Sequence, residues 1–257
     1  MRNIHPTAVV DPAAQLGEDI EVGAYSVIGP GVTVGNGTRI MAHVYLDGWT
    51  TLGTECRIFP FASIGTQTQD LKYAGAKTFV EIGDRTTLRE YVTVNAGTME
   101  GEVTRVGSDC HIMAYSHVAH ACAVGSGVII SNCGTLGGHV VIEDQAIIGG
   151  LCGVHQFVRI GRLCMVGGCS KLVQDAPPFM IVDGNPACVR SVNVVGLRRK
   201  GLGDDAQHLL KEAFRILYHQ QLSTSQAVAK VRAEVKMSPE VQHLLAFIEA
   251  SARGTVK

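Results

Sequence analysis

Imidazole is the side chain best suited to moving protons near neutral pH, and this 257-residue chain spaces its histidines in a way that could use one. His120, Gly138 and Gln156 follow one another at intervals of eighteen residues, with His139 beside the second of them and His117 three residues before the first. If eighteen residues make one full turn of the chain, these groups converge on one face. His120 could then take a proton from an alcohol as that alcohol attacks a carbonyl. Gly138, lacking a side chain, would leave its backbone N–H open to the resulting oxyanion. Two other readings fit the same spacing: surface imidazoles without a task, and a zinc site built from His117, His120 and His139. Against zinc stands the lack of evident acids nearby to orient ligating imidazoles.

Eighteen has meaning because the chain keeps a period of six. From Ile4 to Leu172, stepping by six, 26 positions are all Ile, Leu or Val, and 13 of them are followed directly by Gly. Neither a strand of period two nor a helix of period 3.6 produces this, whereas hexapeptide periodicity is a signature of a parallel β-helix. One hexad supplies one short strand and one turn, so three close a triangular coil, and stacked coils bury an aliphatic column at about 4.8 Å per coil. The glycines are expected to supply the backbone freedom of the corners. The rhythm fails at Asp70 and Ala76, so residues 66–78 are expected to form a loop thrown outward, and loops on rigid scaffolds often carry function. A second skip falls at Glu100, within 96–104.

Past Leu172, residues 174–186 read as a Pro- and Gly-rich exit. The remainder has helical signals. Asp204 and Asp205 can begin a helix with apolar residues Leu209, Leu210, Ala213, Phe214 and Leu217; Ser223 and Gln226 form a capping box; Ser238 and Pro239 start a third helix that runs to about Ala250. The expected domains are therefore a β-helix over 1–186 and a C-terminal α-helical domain over 187–257, which caps the open end of the stack and lends side chains to a site.

A net charge of −1 argues against a general nucleic-acid binder. A repeat starting at residue 4 leaves no room for a signal peptide, and no apolar run reaches the eighteen or so residues of a membrane span, so a cytoplasmic protein is expected. Of eight cysteines, Cys56, Cys110, Cys122, Cys152 and Cys164 take the fifth place of a hexad, and no CxxC pair occurs. They read as reduced packing residues.

The segments QDLKYAG (69–75), HVAH (117–120), GGHV (137–140), VHQF (154–157), MVGGCS (165–170), QDAPPF (174–179), DGNPA (183–187) and VGLRRKG (195–201) together resemble the UDP-N-acetylglucosamine O-acyltransferases, the family that opens lipid A synthesis. The resemblance spans essentially the whole chain. It implies a left-handed β-helix, a homotrimer with sites in the clefts between subunits, and transfer of an R-3-hydroxyacyl group from acyl carrier protein to the 3-hydroxyl of the sugar. It implies no metal and no cofactor of the protein's own, since the phosphopantetheine arrives on the carrier. By position, His120 matches the family's general base and Gly138 its oxyanion N–H. Asp70 and Lys72, with Gln69 beside them, match the residues holding the glucosamine moiety. His117, His139 and Gln156 match further substrate contacts, Asn193 and Arg199 match nucleotide and phosphate contacts, and Gly168 matches the end of the acyl-chain pocket. Lys72 also reads as a solvated loop charge, Gly168 as a turn glycine, and Arg198, Arg199 and Lys200 as a run that steers an acidic carrier. The 3-amino analogue of the sugar remains an alternative acceptor. Two departures stand out. The acid that usually follows the catalytic histidine is Ala121 here, and Ala96 occupies a place where a basic residue is common.

Overall fold

A computed structural model describes residues 2–257. Strands of two to four residues run from Asn3–Ile4 to Lys171–Leu172 and stack into three parallel sheets, the walls of a left-handed β-helix. In regular coils each strand pairs with the one eighteen residues on, as His117 with Thr135 and Thr135 with Gly153. The offset widens where the hexads fail, at Ile64 with Val94 and Val94 with Val118. Of the aliphatic column only Ile4 and Val10, in the uncovered first coil, escape full burial. Each of the others contributes about 1.5–3 kcal/mol by leaving water. The five fifth-place cysteines are buried and unpaired among them, and burial pushes the Cys122 thiol up to about 12.

At Gly37 and Gly127 glycine supplies the corner freedom expected of it, but most of the glycines that follow the aliphatic positions serve another purpose. Each corner holds two residues, and the second adopts positive φ, usually without glycine: 58° at Tyr25, 65° at Phe61, 63° at Tyr115. Gly23, which follows its hexad's aliphatic residue, is not in that region. A Cβ placed there would lie 2.6 Å from the backbone nitrogen of Ala42 in the next coil. Coil spacing, not backbone freedom, excludes a side chain at such places.

The corners are called first, second and third in the order that follows strand His117–Val118: residues 120–121, 126–127 and 132–133 with their equivalents one coil up or down. Both excursions, 66–78 and 96–104, leave at the first corner, because strands Ser63–Thr66, Thr93–Asn95 and His117–Val118 stack in one sheet.

The exit segment is more ordered than its composition suggests. Met180–Gly184 adds in parallel beside Met165–Val166 and pairs antiparallel with Ala187–Val192. Four helices follow: α1 (Val194–Arg199), α2 (Asp204–His219), α3 (Thr224–Glu234) and α4 (Pro239–Glu249). The Ser223–Gln226 capping box and the Ser238 cap with Pro239 form as expected, whereas α1 had no sequence signal. Leu210 and Ala213 of α2 are buried, while Leu209, Phe214 and Leu217 are partly buried. His243 of α4 reaches back to Glu143 of the β-helix at 2.7 Å. Among the described residues no helix is long and apolar enough to cross a membrane.

Candidate active site

His120 and Gly138 meet at the first corner as the eighteen-residue spacing requires. A Cβ on Gly138 would fall 2.3 Å from both Nε2 and Cε1 of His120, so the imidazole lies against the α-carbon of that glycine. Any other residue at 138 would displace the ring. The Gly138 carbonyl accepts from Phe157, while its N–H has no acceptor among the described residues. The His139 N–H donates to the His120 carbonyl at 3.0 Å, and the two rings meet edge to face at 5.0 Å and 88°. Burial first, then His139, lower the His120 pKa below its ordinary 6.5, against the pull of Asp70 and Glu102. The imidazole is therefore neutral at pH 7, the state a proton acceptor needs.

The two excursions bring acids to this ring. Asp70 Oδ2 lies 3.8 Å from His120 Nε2. The loop fixes this carboxylate through the Lys72 N–H, which donates to Asp70 Oδ1 at 3.0 Å, while the Asp70 N–H donates to Thr68 Oγ1 at 3.1 Å. The Lys72 N–H, against burial and helped by His120, holds the Asp70 carboxyl below its usual range. Glu102, on the second excursion, was not foreseen. One atom each from Glu102, His120 and His139 lies within 4.8 Å of the others. This corrects two sequence readings: an acid does stand beside the histidines, and the cluster does not include His117. The His117 Nδ1 instead meets Thr93 Oγ1 at 2.7 Å, and burial, then His120, lower its pKa. Counting strands would have found Glu102, because the skip at residue 100 sits one coil below His120 on the same corner.

The other candidates spread over the molecule. Gln69, Lys72 and Gln156 are exposed at or beside the first corner. Ala96 is buried on the wall of a cavity of about 380 Å³ under the first excursion, which Trp49, Tyr73 and Lys77 also line. Gly168 is exposed at the third corner. Arg199 is exposed at the end of α1. Asn193 is 5% exposed and its carboxamide is engaged: Oδ1 accepts the Gly196 N–H at 3.0 Å and Nδ2 donates to the Leu163 carbonyl at 3.0 Å. It caps α1 and ties that helix to the coils.

Stacked hexapeptide coils carrying an imidazole against the α-carbon of a glycine fit a hexapeptide-repeat transferase. In agreement, the family described as bacterial transferase hexapeptide (six repeats) matches residues 104–138, and that described as Udp N-acetylglucosamine O-acyltransferase, Domain 2, matches residues 175–256. An acyl-[acyl-carrier-protein]–UDP-N-acetylglucosamine O-acyltransferase from Thermodesulfovibrio yellowstonii is 45% identical over 255 residues, 99% of each chain. Its counterpart in Syntrophobacter fumaroxidans is also 45% identical, over 256 residues and 99% of each chain. Among solved structures, the UDP-N-acetylglucosamine acyltransferase of Bacteroides fragilis superposes with a TM-score of 0.95 at 36% identity, covering 99% of this chain and 100% of that one. That of Campylobacter jejuni gives 0.93 at 37%, with the same coverage. The chain belongs to the UDP-N-acetylglucosamine O-acyltransferase family and is an enzyme of acyl transfer.

Proposed function

We propose that this enzyme moves an R-3-hydroxyacyl group from acyl carrier protein to the 3-hydroxyl of UDP-N-acetylglucosamine, with His120 as general base and the Gly138 N–H as oxyanion donor. The observation that carries the reading is the contact of the His120 ring with Gly138, whose N–H has no acceptor among the described residues. His120 Nε2 takes the proton of the sugar hydroxyl as the oxygen attacks the thioester carbon. The carbonyl oxygen becomes an oxyanion and accepts the Gly138 N–H, an interaction strongest when the charge is complete. Collapse expels the phosphopantetheine thiolate, which recovers the proton from the imidazolium. The chain's own groups suffice for these steps.

Asp70 and His120 Nε2 are separated by a gap of 3.8 Å, which one hydroxyl oxygen at about 2.8 Å from each would bridge. Asp70, with Gln69 and Lys72, is thereby assigned to the glucosamine ring. His117, His139 and Gln156 are assigned to further substrate contacts. Arg199 is assigned to the diphosphate, whose paired oxygens suit a guanidinium, and Asn193 acts by fixing the helix that carries it. Gly168 is assigned to the end of the acyl chain. It lies across one wall of the prism from the corner that holds His120, and an acyl chain reaching both is assigned to the cleft between copies in the homotrimer that the family resemblance implies. Level with His120 and above, the aromatic residues of that third corner give way to Cys133, Leu151 and Cys169, with Gly150 and Gly168 beside them, leaving room for an acyl group. Unpaired thiols suit a reducing compartment, here the cytoplasm.

Steady-state transfer with hydroxyacyl carrier protein, assayed against UDP-N-acetylglucosamine and its 3-amino analogue in parallel, tests the reading. His120→Ala should abolish transfer and the O-acceptor should turn over fast. Because His120 must be deprotonated, kcat/KM should be flat near pH 7 and fall only as pH drops through a pKa below 6.5. Retained activity in His120→Ala would refute the assignment.

A further inference from the structure

We propose that Glu102 is a positioning residue for this reaction, its carboxylate supporting the imidazolium that His120 becomes when it takes the proton. The inference rests on the assignment of His120 as general base. It starts from a shortage. Nothing next to His120 in sequence can carry negative charge, since its neighbours are Ala119 and Ala121. Its Nδ1 is buried with no hydrogen-bond partner among the described residues, so no backbone carbonyl orients the ring or shares its charge. A base that becomes cationic in a half-buried site needs an anion held near it.

Two carboxylates face the ring, Asp70 and Glu102, and the other charged or titratable groups around it are Lys72, His139 and His117. Asp70 sits on the open side, against Nε2, where the sugar must enter. Glu102 is the acid that the substrate does not claim. It is also held in place before any substrate arrives. Its Oε2 accepts the Thr98 N–H at 2.8 Å and the Met99 N–H at 3.0 Å, and its own N–H donates to the Met99 carbonyl at 3.0 Å. Burial would push its carboxyl up, yet these two N–H groups and the imidazoles of His139 and His120 outweigh it and keep the carboxyl ionised. A fixed anion interacts weakly with a neutral imidazole and strongly with its cation. It therefore lowers the transition state more than the ground state.

The rival reading is that Glu102 only closes its own turn through Thr98 and Met99. Glu102→Gln separates the two, because it keeps an oxygen for those N–H groups and removes the charge; Glu102→Asp keeps the charge on a shorter arm. The assay is the pH profile of kcat and kcat/KM for the intact enzyme, alongside NMR titration of the His120 ring in the unliganded protein. In Glu102→Gln we expect kcat to fall about tenfold with KM little changed. The acid limb of kcat/KM and the His120 titration should both move about one pH unit lower, and Glu102→Asp should recover part of each. An unmoved acid limb and His120 titration in Glu102→Gln, whatever happens to kcat, would overturn the proposal. His120→Ala is run beside it. If that variant is dead while Glu102→Gln leaves the titration in place, only the role of Glu102 fails; if it stays active, the assignment of the base fails first.

Discussion

The first and third corners of the prism share one backbone conformation and have opposite contents. At the third corner Tyr25, His43, Phe61, Tyr91 and Tyr115 stack ring on ring, with centroids 5.2, 5.0, 4.9 and 4.8 Å apart. That spacing is close to the rise of one coil. At the first corner His139 and Phe157 obey the same rule, at 4.6 Å and 8°. His120, one place earlier in its corner, breaks it by crossing His139 at 88°. Gly138 permits the crossing, because any Cβ there would occupy the ring's place. The first corner also carries both excursions and the third carries none. Repetition by itself yields parallel stacks of like groups. Unlike groups come together only where the repeat is interrupted, by a missing side chain or by extra chain.

The sharpest test of that contrast is one substitution made at both corners. Gly138→Ala should cut kcat by about 10²–10³-fold, because the new methyl collides with the imidazole 2.3 Å away and tilts both base and amide. Gly168→Ala meets only the backbone of Gly150, its carbonyl oxygen at 3.4 Å and its nitrogen at 4.0 Å, ordinary contacts. It should leave transfer of short hydroxyacyl groups unchanged and slow only the longest. Rate constants across a series of hydroxyacyl carrier proteins would decide. Equal losses with every donor in Gly168→Ala would show that the third corner does more than end the chain.

The sequence makes these corners legible to different degrees. Twenty-six aliphatic steps reveal the coil, and the coil places His120 against Gly138 without further information. Ser223 with Gln226 and Ser238 with Pro239 reveal two helices, because capping is local chemistry. Glu102 stayed hidden because the interrupted hexads carry no period. Its place follows only from asking which sheet each excursion leaves. The reason for most hexad glycines is not legible in the sequence, because closeness to the next coil, unlike a turn, leaves no mark within six residues. The hairpin of Met180–Gly184 with Ala187–Val192 was missed because its prolines and glycines read as irregular chain, and α1 is too short to show a period.

The second corner extends the comparison, since the helical region is tied there through Asn193 and the Leu163 carbonyl. Asn193→Ala removes the cap of α1 and strands a buried carbonyl, for an expected loss of about 2 kcal/mol. If α1 serves mainly to present Arg199, KM for the UDP-sugar should rise while kcat holds. Chemical denaturation and steady-state kinetics on one preparation separate the two effects. A fall in kcat with KM unchanged would mean that the second corner reaches the reacting atoms.

Tyr91→Ala carries the smallest effect and tests the third corner as a purely structural stack. Its ring lies between Phe61 at 4.9 Å and Tyr115 at 4.8 Å, with interplanar angles of 10° and 4°. Each pair contributes about 0.5–1.5 kcal/mol beyond burial in a protein interior, and Tyr91 is 44% exposed, so the lower part of that range applies. The backbone supplies no compensation. Residue 91 keeps φ at 59°, and alanine pays the same penalty there as tyrosine. A loss of about 1 kcal/mol is expected, seen as a Tm lower by about 2–4 °C in a chain of this size, with kcat/KM unchanged. Were transfer to fall along with Tm, the aromatic stack would belong to the reactive surface, and the division of labour between the corners would have to be redrawn.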